Sequence, residues 1–145
     1  MTSPAGALYL LDANVLLALT HAGHLNHARA TSWLASAARW ATAPATESAL
    51  IRLLLNRAVV GAKVTGAQAL GVLRSLRDAP GHEFLPDGTS LADPAINLTG
   101  LMGHRQVTDL HLVNLAARNG AVLATFDARI EAALSESDAA LVHVI

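Results

Sequence analysis

The sequence predicts an α/β domain in which a parallel sheet lies between layers of helices. Three observations carry that prediction. Short apolar runs of strand length recur along the chain, helical patterns fill the stretches between them, and turn residues fall at their junctions. At 145 residues the chain suits one domain with one core. No internal repeat, low-complexity tract or linker divides it, so a single domain over residues 1–145 is expected.

The elements follow in order. Ala7 to Leu11 is an apolar run ending at Asp12 and reads as a buried parallel strand. Ala13 to Leu19 reads as a helix that starts directly after it, and His24 to Arg39 as a second helical stretch. Trp40 to Thr42 is the second strand, and Pro44 suits the first turn of a helix running from about Ala45 to Asn56. Thr65 is placed to cap a helix to Arg77, which Pro80-Gly81 stops. Glu83 to Leu85 is the third strand, closed by Pro86-Asp87-Gly88. Ser90 to Leu101 and Thr108 to Asn119 read as helices, the latter ended by Gly120. Ala121 to Thr125 is the fourth strand, Ala128 to Leu134 a short helix, and Leu141 to Val144 the fifth strand.

Composition removes several classes of function. With no cysteine there is no disulfide scaffold, zinc-thiolate centre or thiol nucleophile, and a reducing cytoplasm is the expected setting. No run of about 18 apolar residues marks a transmembrane helix. The N-terminal stretch from Met1 to Gly6 lacks a basic region and is too short for a signal peptide. The net charge of −1 counts mildly against a nucleic-acid ligand. The basic residues are almost all arginine, Lys63 being the one lysine, and arginines gathered on one face would offset that objection.

Four acids stand out by position. Asp12 ends the first strand, Glu47 lies early in the helix after the second, Asp109 opens a helix, and Asp127 follows the fourth strand at once. In a parallel sheet the carboxyl ends of the strands share one edge, where ligands bind. Carboxylates gathered there repel one another, and a divalent cation is the usual compensation. Mg²⁺ and Mn²⁺ prefer oxygen donors and support phosphodiester hydrolysis without a nucleophilic side chain. Each acid taken alone is equally well explained as a helix cap or a charge placed on a helix dipole.

The segments Leu10-Leu11-Asp12-Ala13-Asn14-Val15-Leu16, Thr46-Glu47-Ser48, Gly103-His104-Arg105-Gln106-Val107-Thr108-Asp109 and Leu123-Ala124-Thr125-Phe126-Asp127 together resemble the VapC-type toxins of the PIN-domain ribonucleases. The resemblance runs from Leu8 to Ile145, and its third segment, followed at the right distance by Thr-Phe-Asp, is the specific part. It implies a PIN-like three-layer α/β/α fold with a five-stranded parallel sheet and Mg²⁺- or Mn²⁺-dependent endonucleolytic cleavage of RNA. It also implies inhibition by a VapB-like antitoxin, and a homodimer. Carried over by residue, Asp12 and Asp109 are the principal metal ligands, and Glu47 and Asp127 complete the catalytic site directly or through water. Asn14 and Thr125 match supporting positions that orient carboxylates by hydrogen bonds. The products implied are a 5′-phosphate and a 3′-hydroxyl.

Other polar residues have two readings each. His104 and Arg105 are placed to meet substrate phosphate or to shape their loop, and Arg52 to bind RNA or simply to face solvent. His21, His24 and His27 have helical spacing for a metal, but their stretch contains a turn and no neighbouring acid. Trp33 and Trp40 suit core packing ahead of base stacking. The apolar helices around Leu16 to Leu34 and Leu50 to Leu55 suit the core or a groove for an antitoxin helix.

Two other functions compete with the nuclease. An aspartyl phosphatase of the haloacid-dehalogenase kind also places Asp at the end of its first strand, but it needs a second Asp two residues on and a late lysine. Here position 14 is Asn, and Lys63 falls between helices. The other alternative is a degenerate PIN scaffold that only binds RNA or protein, and the intact set of four acids argues against it.

Overall fold

The computed structural model describes residues 6–145, so residues 1–5 of the N-terminal stretch discussed above lie outside the described residues. Five parallel strands form one sheet: β1 (Leu8–Leu11), β2 (Arg39–Thr42), β3 (His82–Phe84), β4 (Ala121–Thr125) and β5 (Val142–Val144), in the order β3-β2-β1-β4-β5. Among the described residues seven helices flank it: α1 (Ala13–Thr20), α2 (His27–Ser36), α3 (Pro44–Leu54), α4 (Arg57–Val60), α5 (Gly66–Arg77), α6 (Val107–Arg118) and α7 (Ala128–Ala132). Among the described residues no helix is long and apolar enough to cross a membrane.

The strand pattern explains the three layers. Every residue of β1 is buried, as expected of a central strand covered on both faces. Successive side chains point to opposite faces. Leu8 and Leu10 enter one core with Leu110, Val113 and Leu123, while Tyr9 and Leu11 enter the other with Val15, Leu16, Leu50 and Trp40. The α/β/α fold with a five-stranded parallel sheet is thus the one the sequence predicts.

Helix ends follow local chemistry. The Thr65 hydroxyl accepts from the Gln68 amide while the Gln68 side chain accepts from the Thr65 amide, closing the start of α5. Gly81, with φ +83°, turns the chain into β3 with its α-carbon against the Ala38 carbonyl, where a Cβ would collide.

Two expectations need correction. The helix expected from His24 to Arg39 is shorter at both ends, because His24 to Asn26 form turns and Arg39 already pairs in β2. Ser90 to Leu101 is not a helix at all. It is an irregular strap whose backbone is satisfied by distant side chains. The Asn114 side chain accepts from the Ala95 amide at 2.7 Å, Arg118 donates to the Asp93 carbonyl at 2.7 Å, and Asp138 accepts from the Asn97 amide at 2.8 Å. Gly100 packs against the Ala133 carbonyl with no room for a side chain. Two 3₁₀ turns, His104–Gln106 and Glu136–Leu141, and the short α4 complete the chain.

Candidate active site

The strand order reverses beside β1: β2 and β3 extend the sheet one way, and β4 and β5 the other. Asp12 leaves β1 and Asp127 leaves β4 at the carboxyl edge of this switch point. The Asp12 amide still pairs with the Ala124 carbonyl at 3.0 Å, so the sheet itself fixes where Asp12 emerges. Its Oδ1 caps α1 by accepting from the Ala13 amide at 2.8 Å, and its Oδ2 accepts from the Thr125 hydroxyl at 2.8 Å. Asp12 is buried, which pushes its carboxyl above the usual range. The bonds from Thr125 and Ala13 oppose that shift, and the charge of Asp127 adds to it.

Asp109 lies in the first turn of α6, the helix that runs back to the start of β4. Burial pushes its carboxyl up to about 6, and the charges of Asp12 and Asp127 act in the same direction. These three acids therefore share one electrostatic site. Asp109 and Asp127 face a cleft of about 300 Å³ with Arg105, Gln106 and Arg129. The loop before Asp109 is tied by Gln106, whose side-chain oxygen accepts from the amides of Met102 and Gly103 at 2.7 and 3.1 Å.

Asp127 caps α7 through the Arg129 amide at 3.0 Å, and the Arg129 guanidinium grips both of its oxygens at 2.9 Å. That grip holds its carboxyl below the usual range. Two of the four acids, Asp12 and Asp127, are thus helix caps as well as members of the site.

Glu47 is held separately. It is buried in the first turn of α3, with Oε2 accepting from the Thr42 hydroxyl at 2.6 Å and Oε1 lying 3.6 Å from Arg77. Thr42 also meets His82 Nε2 at 2.7 Å.

The supporting residues divide. Thr125 behaves as its position implies, bonding Asp12 and also accepting from the Asp127 amide at 3.0 Å. Asn14 is exposed and makes no hydrogen bond to the four acids among the described residues; it lines a second cleft with His24, Asn26, Asp127 and Arg129. Arg105 faces the Asp109 cleft, His104 is exposed beside it, and Arg52 is exposed in the last turn of α3, where a cation suits the helix dipole. His24 Nδ1 accepts from the Asn26 amide and His27 Nδ1 meets the Ala18 carbonyl, and among the described residues the histidine trio forms no metal-holding group. Trp40 is buried and donates to the Pro80 carbonyl, and Trp33 packs edge-on to Tyr9 and donates to His143, so both tryptophans serve packing.

Sequence reasoning missed Arg129, Arg77, Thr42 and His82. Arg129 carried a signal, standing two residues after Asp127 at a helix start. Arg77 and His82 carried none, because only the fold brings them to Glu47.

The donor set suits a hard divalent cation. Asp12, Asp109 and Asp127 offer oxygen, and the mutual repulsion felt by Asp109 is what such an ion relieves. Among the described residues no three His, Cys, Asp or Glu side chains form a ready-made cage. Mg²⁺ needs only one or two carboxylates besides water and substrate oxygens, and Asp12 and Asp109 supply two.

Comparison with known proteins agrees with this architecture. Residues 9–133 match the PIN domain family. The chain is 44% identical over 123 residues to ribonuclease VapC38 of Mycobacterium tuberculosis, covering 83% of this chain and 86% of that protein. It is 42% identical over 140 residues to ribonuclease VapC39 of the same organism, covering 94% and 98%. The crystal structure of M. tuberculosis VapC20, a sarcin-ricin loop cleaving toxin, superposes with a TM-score of 0.57 at 15% identity, covering 88% of this chain and 97% of that one. At that identity the superposition speaks for the fold alone. By matched length and by identity to the VapC ribonucleases, this chain is a member of the PIN-domain family.

Proposed function

We propose that this chain is the toxin of a VapBC-type pair, a Mg²⁺-dependent endoribonuclease that Mn²⁺ also serves. The observation that carries the reading is the shared field of Asp12 and Asp109. These two acids lie far apart in sequence, yet at the carboxyl edge of the sheet the Asp109 carboxyl is raised, first by burial and then by the charge of Asp12. When bound there, the cation supplies Lewis acidity and a more acidic water for attack on phosphorus. Asp12 and Asp109 would hold it, Asp127 would assist directly or through water, and Glu47 would complete the acidic set. Thr125 fixes the orientation of Asp12. Arg105 and Arg129, which line the cleft beside Asp109, bind the substrate phosphates.

The names of VapC38 and VapC39 support RNA as the substrate. A VapB-like antitoxin, a homodimer and a cytoplasmic location belong to the same reading. The test is cleavage of mixed RNA with Mg²⁺ and with chelator. Expected are 5′-phosphate products that require the metal and vanish in Asp12→Asn and Asp109→Asn. Activity that survives chelation or either substitution sinks the reading. Sequencing RNA 5′ ends after brief expression, wild type against Asp12→Asn, then identifies the target.

A further inference from the structure

The edge strand β3 has no acid of the site, yet two of its side chains touch the residues that hold Glu47. His82 and Phe84 stand two residues apart and so point to the same face of the strand. His82 reaches the Thr42 hydroxyl at 2.7 Å, and that hydroxyl donates to Glu47 Oε2 at 2.6 Å. Phe84 lies under the Arg77 guanidinium, 4.5 Å from ring centre to carbon, and Arg77 lies 3.6 Å from Glu47 Oε1. One oxygen of Glu47 is therefore reached from each of the two residues, through one intermediate each.

Proton counting fixes the direction of the first chain. A threonine hydroxyl has one hydrogen and further room to accept. Thr42 donates that hydrogen to Glu47 Oε2. Thr42 is itself completely buried, and its remaining partner is His82 Nε2. That nitrogen must then be the protonated one, donating to the threonine oxygen. Burial and the neighbouring charge of Arg77 favour the neutral imidazole, so the ring carries its single hydrogen on Nε2. The Trp40 ring, edge-on at 4.9 Å, fixes the plane of the imidazole. On the opposite face of β3, Glu83 pairs bidentately with Arg39 at 2.8 and 3.0 Å and pins the strand in register.

We propose that His82 is a positioning residue that sets the orientation of the Glu47 carboxylate from the edge strand, through Thr42. The consequence for the metal rests on the nuclease reading above; the orientation of Glu47 does not.

The test combines a direct measurement with a variant cycle. Nitrogen-15 NMR of the histidine side chains in the full chain should show His82 neutral with its hydrogen on Nε2. His82→Phe keeps an aromatic ring against Trp40 and removes the donor, whereas His82→Gln keeps a donor. Mn²⁺ alone is the probe, titrated calorimetrically on folded protein. His82→Phe should weaken Mn²⁺ binding several-fold and lower kcat for RNA at unchanged KM, and His82→Gln should restore most of both. The Mn²⁺ effect of His82→Phe should vanish in a Glu47→Gln background. An Nδ1–H tautomer overturns the proposal. So does unchanged Mn²⁺ affinity in His82→Phe, equal losses in the phenylalanine and glutamine variants, or a loss that persists without Glu47. A wild type that cleaves no RNA strikes the nuclease reading, while the tautomer and the Glu47-dependent Mn²⁺ loss still decide the positioning.

Discussion

The Thr125 hydroxyl donates to Asp12 Oδ2 at 2.8 Å and accepts from the Asp127 amide at 3.0 Å, so one completely buried side chain joins the ends of β1 and β4. Thr125→Val keeps the shape and removes both bonds. It should cost about 1–3 kcal/mol in urea unfolding, because a buried acceptor and a part-buried amide each lose their partner. Thr125→Ser should stay near wild type. Cleavage of RNA should fall with the valine and persist with the serine.

The raised carboxyl of Asp109 makes stability depend on pH in a defined direction. Its folded value of about 6 lies above its ordinary 3.8, so the protonated form is the one favoured by folding. Its contribution is complete below about 3.8 and is lost as pH rises through about 6. His82, held below its ordinary value, acts the opposite way as pH falls below 6.5, so the wild-type curve mixes both. The difference between Asp109→Asn and wild type isolates the carboxyl. In metal-free buffer the variant's Tm advantage should be absent near pH 4 and grow to a few degrees by pH 7, limited because Asp109 is half-exposed and water screens it. A constant difference across that range would contradict the assignment.

Arg129 grips Asp127 from an exposed position, with nine-tenths of its side chain open to solvent (90%). Surface pairs of this kind contribute little to stability, so Arg129→Ala should leave Tm nearly unchanged. Its effect should be on ligands, in opposite directions. Mn²⁺ should bind more tightly once a cation leaves the acidic site. RNA should bind more weakly, with the slope of log K against log salt falling by about 0.7 for the loss of one phosphate contact. Filter binding at several salt concentrations, beside calorimetry of Mn²⁺, reads both.

Asn114, fully buried on α6, holds the irregular strap through the Ala95 amide. Asn114→Leu removes that acceptor and should destabilise the chain by about 1–3 kcal/mol. Hydrogen exchange at Ala95 should rise ahead of exchange in β1. Equal acceleration in both would mean that the strap does not open separately from the core.

How much of this was legible beforehand follows from range. Strands β1 and β4 were readable because each is a short, largely apolar run, and the start of α5 because Thr65 and Gln68 sit three residues apart. Asp12 and Asp127 were placed correctly because the end of a strand is a local fact. The strap from Ser90 to Leu101 was misread as helix because its backbone bonds go to Asn114, Arg118 and Asp138, which no local pattern announces. The same reason hid Arg77 and His82, which are 30 and 35 positions from Glu47 by residue number. Arg129 was a local neighbour of Asp127 and was overlooked among the nearby motif residues.

The burial of all four residues of β1 has a consequence for how such chains can diverge. Leu8 and Leu10 belong to one core, Tyr9 and Leu11 to the other, and Asp12 emerges where the strand stops. An exchange of one apolar side chain for another changes a local fit. An insertion or deletion of one residue exchanges the two faces wholesale and carries the carboxylate out of step with Thr125. Descent along this strand can therefore proceed by substitution while its length stays fixed, so that spelling drifts and metre does not.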